Sequence, residues 1–184
     1  MASFLSQRSK AFRRKLEDSR PRLYRMAFAW SHNPPLAEDL VQEALTKALR
    51  HTSQLRDIKT MDAWLFSILA NCWRDYFRRN RVMEDIDDLV LTHAVTPESL
   101  HSRREVINEI LLAVSQLSEG QRQVVTLVDL EGFSYIEVAG ILDVPIGTVM
   151  SRLCRARKIL KKLLAKTQTN RSEQTTNTNI RRVQ

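Results

Sequence analysis

The stretch from Ser134 to Leu164 constrains the fold more than any other part of the chain, because it predicts two helices joined by a very short turn. Ser134 followed three residues later by Glu137 is a capping-box pattern, which predicts that a helix begins there. Pro145 predicts the start of a second helix, since a proline in the first helical turn forfeits no hydrogen bond. The two residues before Pro145 are left as the turn.

The second of these helices has one apolar face and one strongly basic face. Its apolar stripe, with alternating steps of four and three residues, comprises Val149, Leu153, Ala156, Leu160 and Leu163. Its other face carries Ser151, Arg152, Arg155, Arg157, Lys158, Lys161 and Lys162. An ordinary amphipathic hairpin would mix both signs of charge on its solvated face, but there is no acidic residue from Pro145 to Gln168. The pattern therefore favours a helix-turn-helix whose second helix enters the major groove of DNA.

The composition of the whole chain agrees with a helical protein that binds a polyanion. The net charge is +8, and the 184 residues include only four glycines and five prolines. No apolar run approaches the length of a membrane span, and the N-terminus lacks the apolar core of a secretion signal. We therefore expect a cytoplasmic, all-α protein without direct membrane insertion.

Residues that could carry out chemistry are scattered. Neither Cys72 nor Cys154 has a second cysteine or a histidine at zinc-ligand spacing, so both are interpreted as reduced packing or surface residues. The four histidines are not accompanied by a nucleophile, a paired acid or a glycine-rich phosphate loop. The sequence therefore predicts no catalytic residues, no metal, no cofactor and no small-molecule substrate.

A first helical domain is predicted over residues 1–81. Its first helix should end near Ser19, with a new helix starting at Pro21, followed by helices from about 36 to 52 and from about 61 to 81. The helix from about 36 to 52 has an outward face that is acidic at its N-terminal end, which the helix dipole alone would explain. Trp64 lies on the apolar stripe of the last helix and is expected to be buried. Trp73 falls off that stripe and is the better candidate for an exposed ring.

An acidic linker is predicted to follow at residues 82–103, where the helical period lapses in an otherwise basic chain. A second domain of four helices, including the helix-turn-helix, is predicted over residues 104–166. Ser118 with Gln121 marks the start of its second helix as another capping box. The polar tail, residues 167–184, lacks periodicity and is predicted to be disordered. Two domains joined by a flexible linker should move relative to one another.

Two separate blocks of the sequence resemble bacterial sigma factors of the extracytoplasmic-function group, in the sigma-70 family. The block AEDLVQEALTKAL (37–49) is similar to the segment that docks on the clamp helices of RNA polymerase. The block from Leu117 to Leu160 is similar to the domain that reads the upstream, minus thirty-five promoter element. The resemblance covers nearly the whole chain up to about Lys166, and the two blocks in this order are highly specific.

The resemblance implies roles for individual residues. It implies that Asp39, Gln42 and Glu43 bind core RNA polymerase, and that the loop 54–60 captures a flipped base of the minus-ten element. Its implied minus-ten DNA-binding residues are Met61, Asn71, Arg74, Arg78 and Arg79. Its implied minus thirty-five DNA-binding residues are Thr148, Met150, Ser151, Arg152, Arg155 and Lys158.

Met150 departs from the family pattern, in which this position is usually basic. A methionine cannot donate a hydrogen bond to guanine O6 or N7, so a contact worth roughly 1–3 kcal/mol of discrimination is missing. We therefore expect an upstream element that differs from the family's commonest one, or one that is read more through Ser151 and Arg155.

The resemblance implies an alternative sigma factor with core RNA polymerase, promoter DNA and an anti-sigma factor as partners. A sigma mimic that titrates an anti-sigma factor without binding DNA is a second hypothesis, to which Met150 lends some support. A stand-alone helix-turn-helix regulator is a third. The sequence names neither the inducing signal, the anti-sigma factor, nor the promoters.

Overall fold

A computed structural model describes residues 2–55, 57–84 and 103–180, and in these ranges the chain is helical with no strand. The predicted all-α fold is confirmed. The N-terminal unit consists of α1 (Ala2–Ser31), α2 (Pro34–Arg50) and α3 (Met61–Glu84). The C-terminal unit consists of α4 (Arg103–Ser115), α5 (Glu119–Val125), α6 (Tyr135–Leu142) and α7 (Ile146–Ile180). None of the helices in the described ranges is both long and apolar enough to cross a bilayer.

The N-terminal unit is built on the packing of α2 against α1 and α3. Asn33 caps α2, accepting a hydrogen bond from the Leu36 amide at 3.2 Å, while two prolines occupy the first helical positions. Two short 3₁₀ turns, Thr52–Gln54 and Ile58–Thr60, lie between α2 and α3. The largest fully buried side chains of this core are Leu23, Met26, Trp30, Val41, Met61, Leu65, Phe66 and Leu69.

The predicted helix boundary at Pro21 is wrong, because α1 runs through this proline. Proline costs the helix one backbone hydrogen bond. Leu16 and Leu23, on either side of it, are both buried in the core, and their packing outweighs that loss. The N-terminal unit therefore has one long first helix where the local pattern indicates two.

The helix-turn-helix forms as the sequence indicates. The Ser134 amide donates to Glu137 Oε2 at 2.8 Å and the Glu137 amide donates to Ser134 Oγ at 3.3 Å, which completes the capping box of α6. Asp143 ends α6 in the left-handed region with φ 54°, and α7 begins at Ile146. The capping box at Ser118 is also present, but α5 continues into a π-helical turn, Thr126–Leu130.

The two units pack against each other and share one hydrophobic core. Helix α3 lies against α6, and α1 lies against α4 and α5. Phe66 of α3 meets Phe133, just before α6, edge-on with ring centroids 5.0 Å apart. Independent movement of the two domains stays a prediction, and it would require this shared core to open.

The structure differs from the sequence prediction at the linker and the tail. Helix α3 continues through Glu84, past the predicted boundary at residue 81, and the rest of the predicted linker up to residue 102 lies outside the described residues. The tail predicted to be disordered is helical as far as Ile180, because α7 continues through a segment that contains neither glycine nor proline. Residues 181–184 also lie outside the description.

Candidate functional site

The first candidate surface is the polar face of α2. Asp39 and Gln42 are exposed and lie three residues apart, so they share one side of the helix. Glu43 is half-buried, and its Oε1 lies 2.8 Å from Lys47 Nζ and 3.7 Å from an Arg79 guanidinium nitrogen. Asp39 and Gln42 are therefore accessible from solvent, whereas Glu43 is paired with cations of the N-terminal unit.

A groove of about 600 Å³ adjoins Gln42 between α1 and α2. Its lining combines leucines with charged and polar side chains: Arg13, Leu16, Glu17, Arg20, Gln42, Leu45, Thr46 and Leu49. Leu49 is 50% exposed. The groove extends the α2 surface with an apolar strip bordered by charges.

The second candidate surface is the polar side of α3 near its C-terminal end. Asn71, Arg74, Arg78 and Arg79 are all exposed there. One Arg74 guanidinium nitrogen donates to Asn71 Oδ1 at 3.1 Å, and the other donates to the Leu142 carbonyl of the C-terminal unit at 2.8 Å. Arg78 pairs with Asp75 at 3.2 Å. Arg74 is therefore both a candidate phosphate ligand and a contact between the units.

Both burial predictions for the tryptophans of α3 are wrong, and Met61, predicted to contact DNA, is fully buried in this structure. Trp73, predicted to be exposed, is 3% exposed and packs against Trp30 with ring centroids 6.4 Å apart, whereas Trp64 is only half-buried. The reason is that α3 contacts α1, α2 and α6, so it buries more of its circumference than one apolar stripe.

The third candidate surface is α7. Its stripe is buried at Val149, Leu153 and Ala156, and its opposite face is exposed at Arg155, Arg157, Lys158, Lys161 and Lys162. Arg157 binds Asp129 through two hydrogen bonds of 3.1 and 2.5 Å, and the hydrogen bond to that carboxylate raises the pKa of Arg157. By contrast, Arg155 and Lys158 pair with no carboxylate of the described residues.

The beginning of α7 is apolar on its exposed side. Ile146 and Met150 are 45% and 53% exposed, and Gly147 lies between them with no side chain. Thr148 and Ser151 are half-buried, and the Ser151 hydroxyl donates to the Thr148 carbonyl at 3.1 Å.

Arg152 is directed away from the exposed side of this helix. A Cβ placed on Gly120 of α5 would lie 2.9 Å from Arg152 Cζ, so the guanidinium rests against α5. Arg152 is half-buried there. Of the predicted upstream-element residues, Met150, Arg155 and Lys158 are therefore the exposed ones.

An ion-pair network that the sequence analysis missed joins the two units. Glu131 has a side chain only 3% exposed, and its carboxylate accepts from Arg22 Nε at 2.7 Å and lies 3.5 Å from Arg25. Arg22 also donates to Asp62 at 2.8 Å. Burial by itself would raise the Asp62 pKa, but the hydrogen bonds and positive charges of Arg22 and Lys15 together outweigh that effect, so the Asp62 pKa is lowered.

A second set of hydrogen bonds crosses the same contact. The Trp30 indole donates to Thr126 Oγ1 at 2.9 Å. Arg122 donates to the Trp30 carbonyl at 2.6 Å and to the carbonyls of Ser115 and Leu117 at 2.9 and 3.0 Å, near the ends of α1 and α4. Burial lowers the Arg122 pKa, while the carbonyl ends of two helices favour its charge. The two hydrogen bonds that cross between the units, Trp30 to Thr126 and Arg122 to Trp30, join residues 96 and 92 positions apart, and no local pattern could have paired them.

Two family models match the chain in the regions just described. The model for sigma-70 region 2 matches residues 16–82, which is most of the N-terminal unit. The model for sigma-70 region 4 matches residues 107–160, which includes the helix-turn-helix.

Curated relatives and solved structures agree with these matches. The ECF RNA polymerase sigma factor EcfG of Rhodopseudomonas palustris is 37% identical over 147 residues, covering 78% of this chain and 80% of the relative. The ECF RNA polymerase sigma-E factor of Escherichia coli is 33% identical over 134 residues, covering 66% and 70%. The sigma factor RpoE from Bartonella quintana, solved in complex with the anti-sigma factor NepR, is 34% identical with a TM-score of 0.74, covering 85% of this chain and 98% of that one.

Proposed function

Because the chain belongs to the extracytoplasmic-function group of the sigma-70 family, we propose that Asp39 and Gln42 dock its N-terminal unit on core RNA polymerase and that α7 holds the upstream promoter element. The protein is an alternative sigma factor that directs promoter-specific initiation of transcription. One observation carries the DNA-binding part of the proposal. The exposed cations of α7 at Arg155 and Lys158 have no carboxylate partner among the described residues.

The polymerase surface is proposed on α2 because its exposed groups suit a basic helical partner. Asp39 supplies an exposed carboxylate, and Gln42 adds an amide that can donate and accept hydrogen bonds. The groove beside Gln42 offers Leu49 as an exposed apolar contact. An amphipathic helix laid along α2 would cover the acid, the amide and the leucine together.

The minus-ten surface is proposed on α3, with Asn71, Arg78 and Arg79 available at the surface. Extruding a base costs a few kcal/mol, which contacts in the loop 54–60 and along α3 would have to offset. Arg74 can join them only by leaving the Leu142 carbonyl. Binding at the minus-ten element is therefore proposed to require separation of α3 from α6.

An anti-sigma factor is proposed as the third partner, after core polymerase and promoter DNA. The Bartonella quintana sigma factor was solved together with its anti-sigma factor NepR, and the present chain covers nearly all of that sigma factor. A protein that stabilises the contact between the two units would hold Arg74 away from DNA. Such a partner would silence the sigma factor without altering its DNA-binding residues.

The test is transcription with core RNA polymerase, the full chain and candidate promoters, measured as specific runoff RNA. Asp39→Arg combined with Gln42→Ala should abolish co-purification with core polymerase and hence the transcript, because two contacts are lost and one charge is reversed. Asp18→Arg is the matched control, since Asp18 is an exposed acid on α1 outside the proposed surface. Unchanged co-purification of the double variant would contradict the docking role. A wild-type chain that gives no runoff RNA but releases another sigma factor from its inhibitor would contradict promoter recognition.

A further inference from the structure

We infer that the first turns of α7 recognise thymine through its 5-methyl group, with Met150 and Ile146 as the contacting side chains. This inference rests on the proposed DNA-binding role of α7 and specifies which base feature the helix reads. It follows from the chemistry of the exposed side chains at the start of the helix.

The two side chains form one apolar patch. Ile146 and Met150 are four residues apart and therefore lie one above the other on the helix, 45% and 53% exposed. Gly147 beside them has no side chain, and a Cβ there would meet nothing within 4 Å. The helix can therefore approach a groove floor closely at this end.

The Ser151 and Arg152 side chains of the same two turns are engaged within the protein. The Ser151 hydroxyl is bonded to the Thr148 carbonyl within the helix. The Arg152 guanidinium rests against Gly120 of α5. The exposed side chains at the start of α7 are thus a thioether and an aliphatic chain, which have no donor for the acceptors of guanine.

In the major groove, the residues at the start of a recognition helix are the ones that contact base edges. The pattern of donors and acceptors there is polar for every base pair, with one apolar exception, which is the methyl group of thymine. Two exposed cations, Arg155 and Lys158, follow on the helix, and Lys158 is placed to bind a phosphate and so to seat the apolar patch. This basic setting favours DNA over an apolar protein surface as the ligand of Met150.

The experiment uses the full chain bound to core polymerase and a promoter duplex whose upstream element has been selected with the wild-type protein. Each thymine of that element is replaced in turn by deoxyuridine, which lacks only the 5-methyl group, and the dissociation constant is measured by gel retardation. We expect at least one exchange to weaken binding about fourfold, as burial of one methyl group predicts. In Met150→Ala, binding should be equal with thymine and deoxyuridine at that position.

Leu112→Ala is the matched control, because Leu112 is also 50% exposed but lies on α4. It should keep the wild-type preference for thymine. A wild-type complex that selects an element but is indifferent to every exchange would overturn this inference alone, as would a selected element without thymine. A complex that selects no upstream element would overturn the proposed function as well, so the two failures are distinguishable.

Discussion

Arg155 and Arg157 stand two positions apart on α7, and a single carboxylate separates their roles. Arg157 is bound twice by Asp129, whereas Arg155 has no carboxylate partner among the described residues. Both are exposed, so the sequence alone assigns them equally to a basic face. Only Arg155 can bind a new anion without first giving up an existing partner.

Arg155→Ala should therefore weaken binding to the selected upstream element by about 1–3 kcal/mol if the guanidinium reads a base. The measurement is the dissociation constant of the polymerase complex on matched and mutated promoter duplexes. Arg157→Ala is the internal control, and its main effect should be a loss of stability of about 0.2–1 kcal/mol, typical of an exposed ion pair. Equal promoter selectivity in wild type and Arg155→Ala would remove Arg155 from the recognition surface.

At the scale of single elements, α6 depends on its N-terminal cap. It has only eight residues, too few to be stable alone, and its first turn is closed by Ser134 and Glu137. The hydrogen bonds from the Ser134 side chain and backbone lower the Glu137 pKa. The cap also fixes the direction in which the chain enters the helix-turn-helix.

Ser134→Ala should lower the free energy of unfolding by about 0.5–2 kcal/mol, since an orphan amide of the first turn loses its acceptor. Urea denaturation of the full chain measures this change. Ser115→Ala is the comparison, because its hydroxyl bonds only to the Leu112 carbonyl within its own helix and alanine is the better helix former. Equal stabilities of the two variants would contradict the importance of the cap.

The local signals of the helix-turn-helix predicted its structure closely, whereas signals that depend on packing did not. Ser134, Glu137 and Pro145 act on their own turns, so the sequence was sufficient for α6 and the start of α7. The helix boundary predicted at Pro21 was wrong because packing in the core keeps α1 continuous through this proline. The exposure predicted for Trp73 was wrong because other helices cover α3 on more than one side.

The exposure of the candidate site residues was also predicted correctly for some residues and not for others. The exposed cations of α7 and the exposed Asp39 and Gln42 agree with the sequence patterns, although their roles remain predictions. Met61 was assigned by resemblance to a DNA-binding position, but its side chain is fully buried in this structure. The orientation of Arg152 depends on Gly120, more than thirty positions away, and lies beyond any local pattern.

At the scale of the whole molecule, the contact between the two units stabilises the closed arrangement and also limits the access of DNA to Arg74. The Glu131 carboxylate is almost completely buried between Arg22 and Arg25. The same contact between the units holds Arg74 in its hydrogen bond to the Leu142 carbonyl. Removing the Glu131 carboxylate would leave Arg22 with Asp62 as its remaining acid partner among the described residues. The closed arrangement should weaken, because the half-buried Arg22 guanidinium loses one of its two counter-charges.

We expect Glu131→Ala to increase the radius of gyration by on the order of a few ångströms, as domains separate from a compact chain. Small-angle X-ray scattering of the free protein is the measurement. Asp129→Ala is the matched control, since Asp129 lies two positions before Glu131, in the π-helical turn, but pairs within the C-terminal unit. A Glu131→Ala protein as compact as wild type would show that the shared apolar core alone keeps the units together.

The buried position of Trp30 gives the molecule an intrinsic optical reporter. Its indole is nearly without solvent in the closed arrangement and donates its N–H to Thr126 across the boundary between the units. When the units part, this hydrogen bond is lost and water can reach the ring, so the emission of Trp30 should shift to longer wavelength. Of the other two tryptophans, Trp64, half-buried against Phe12 within the N-terminal unit, supplies a nearly constant background, and Trp73 is buried against Trp30 itself. Fluorescence of the unlabelled protein can therefore follow opening and closing in real time as each partner is added.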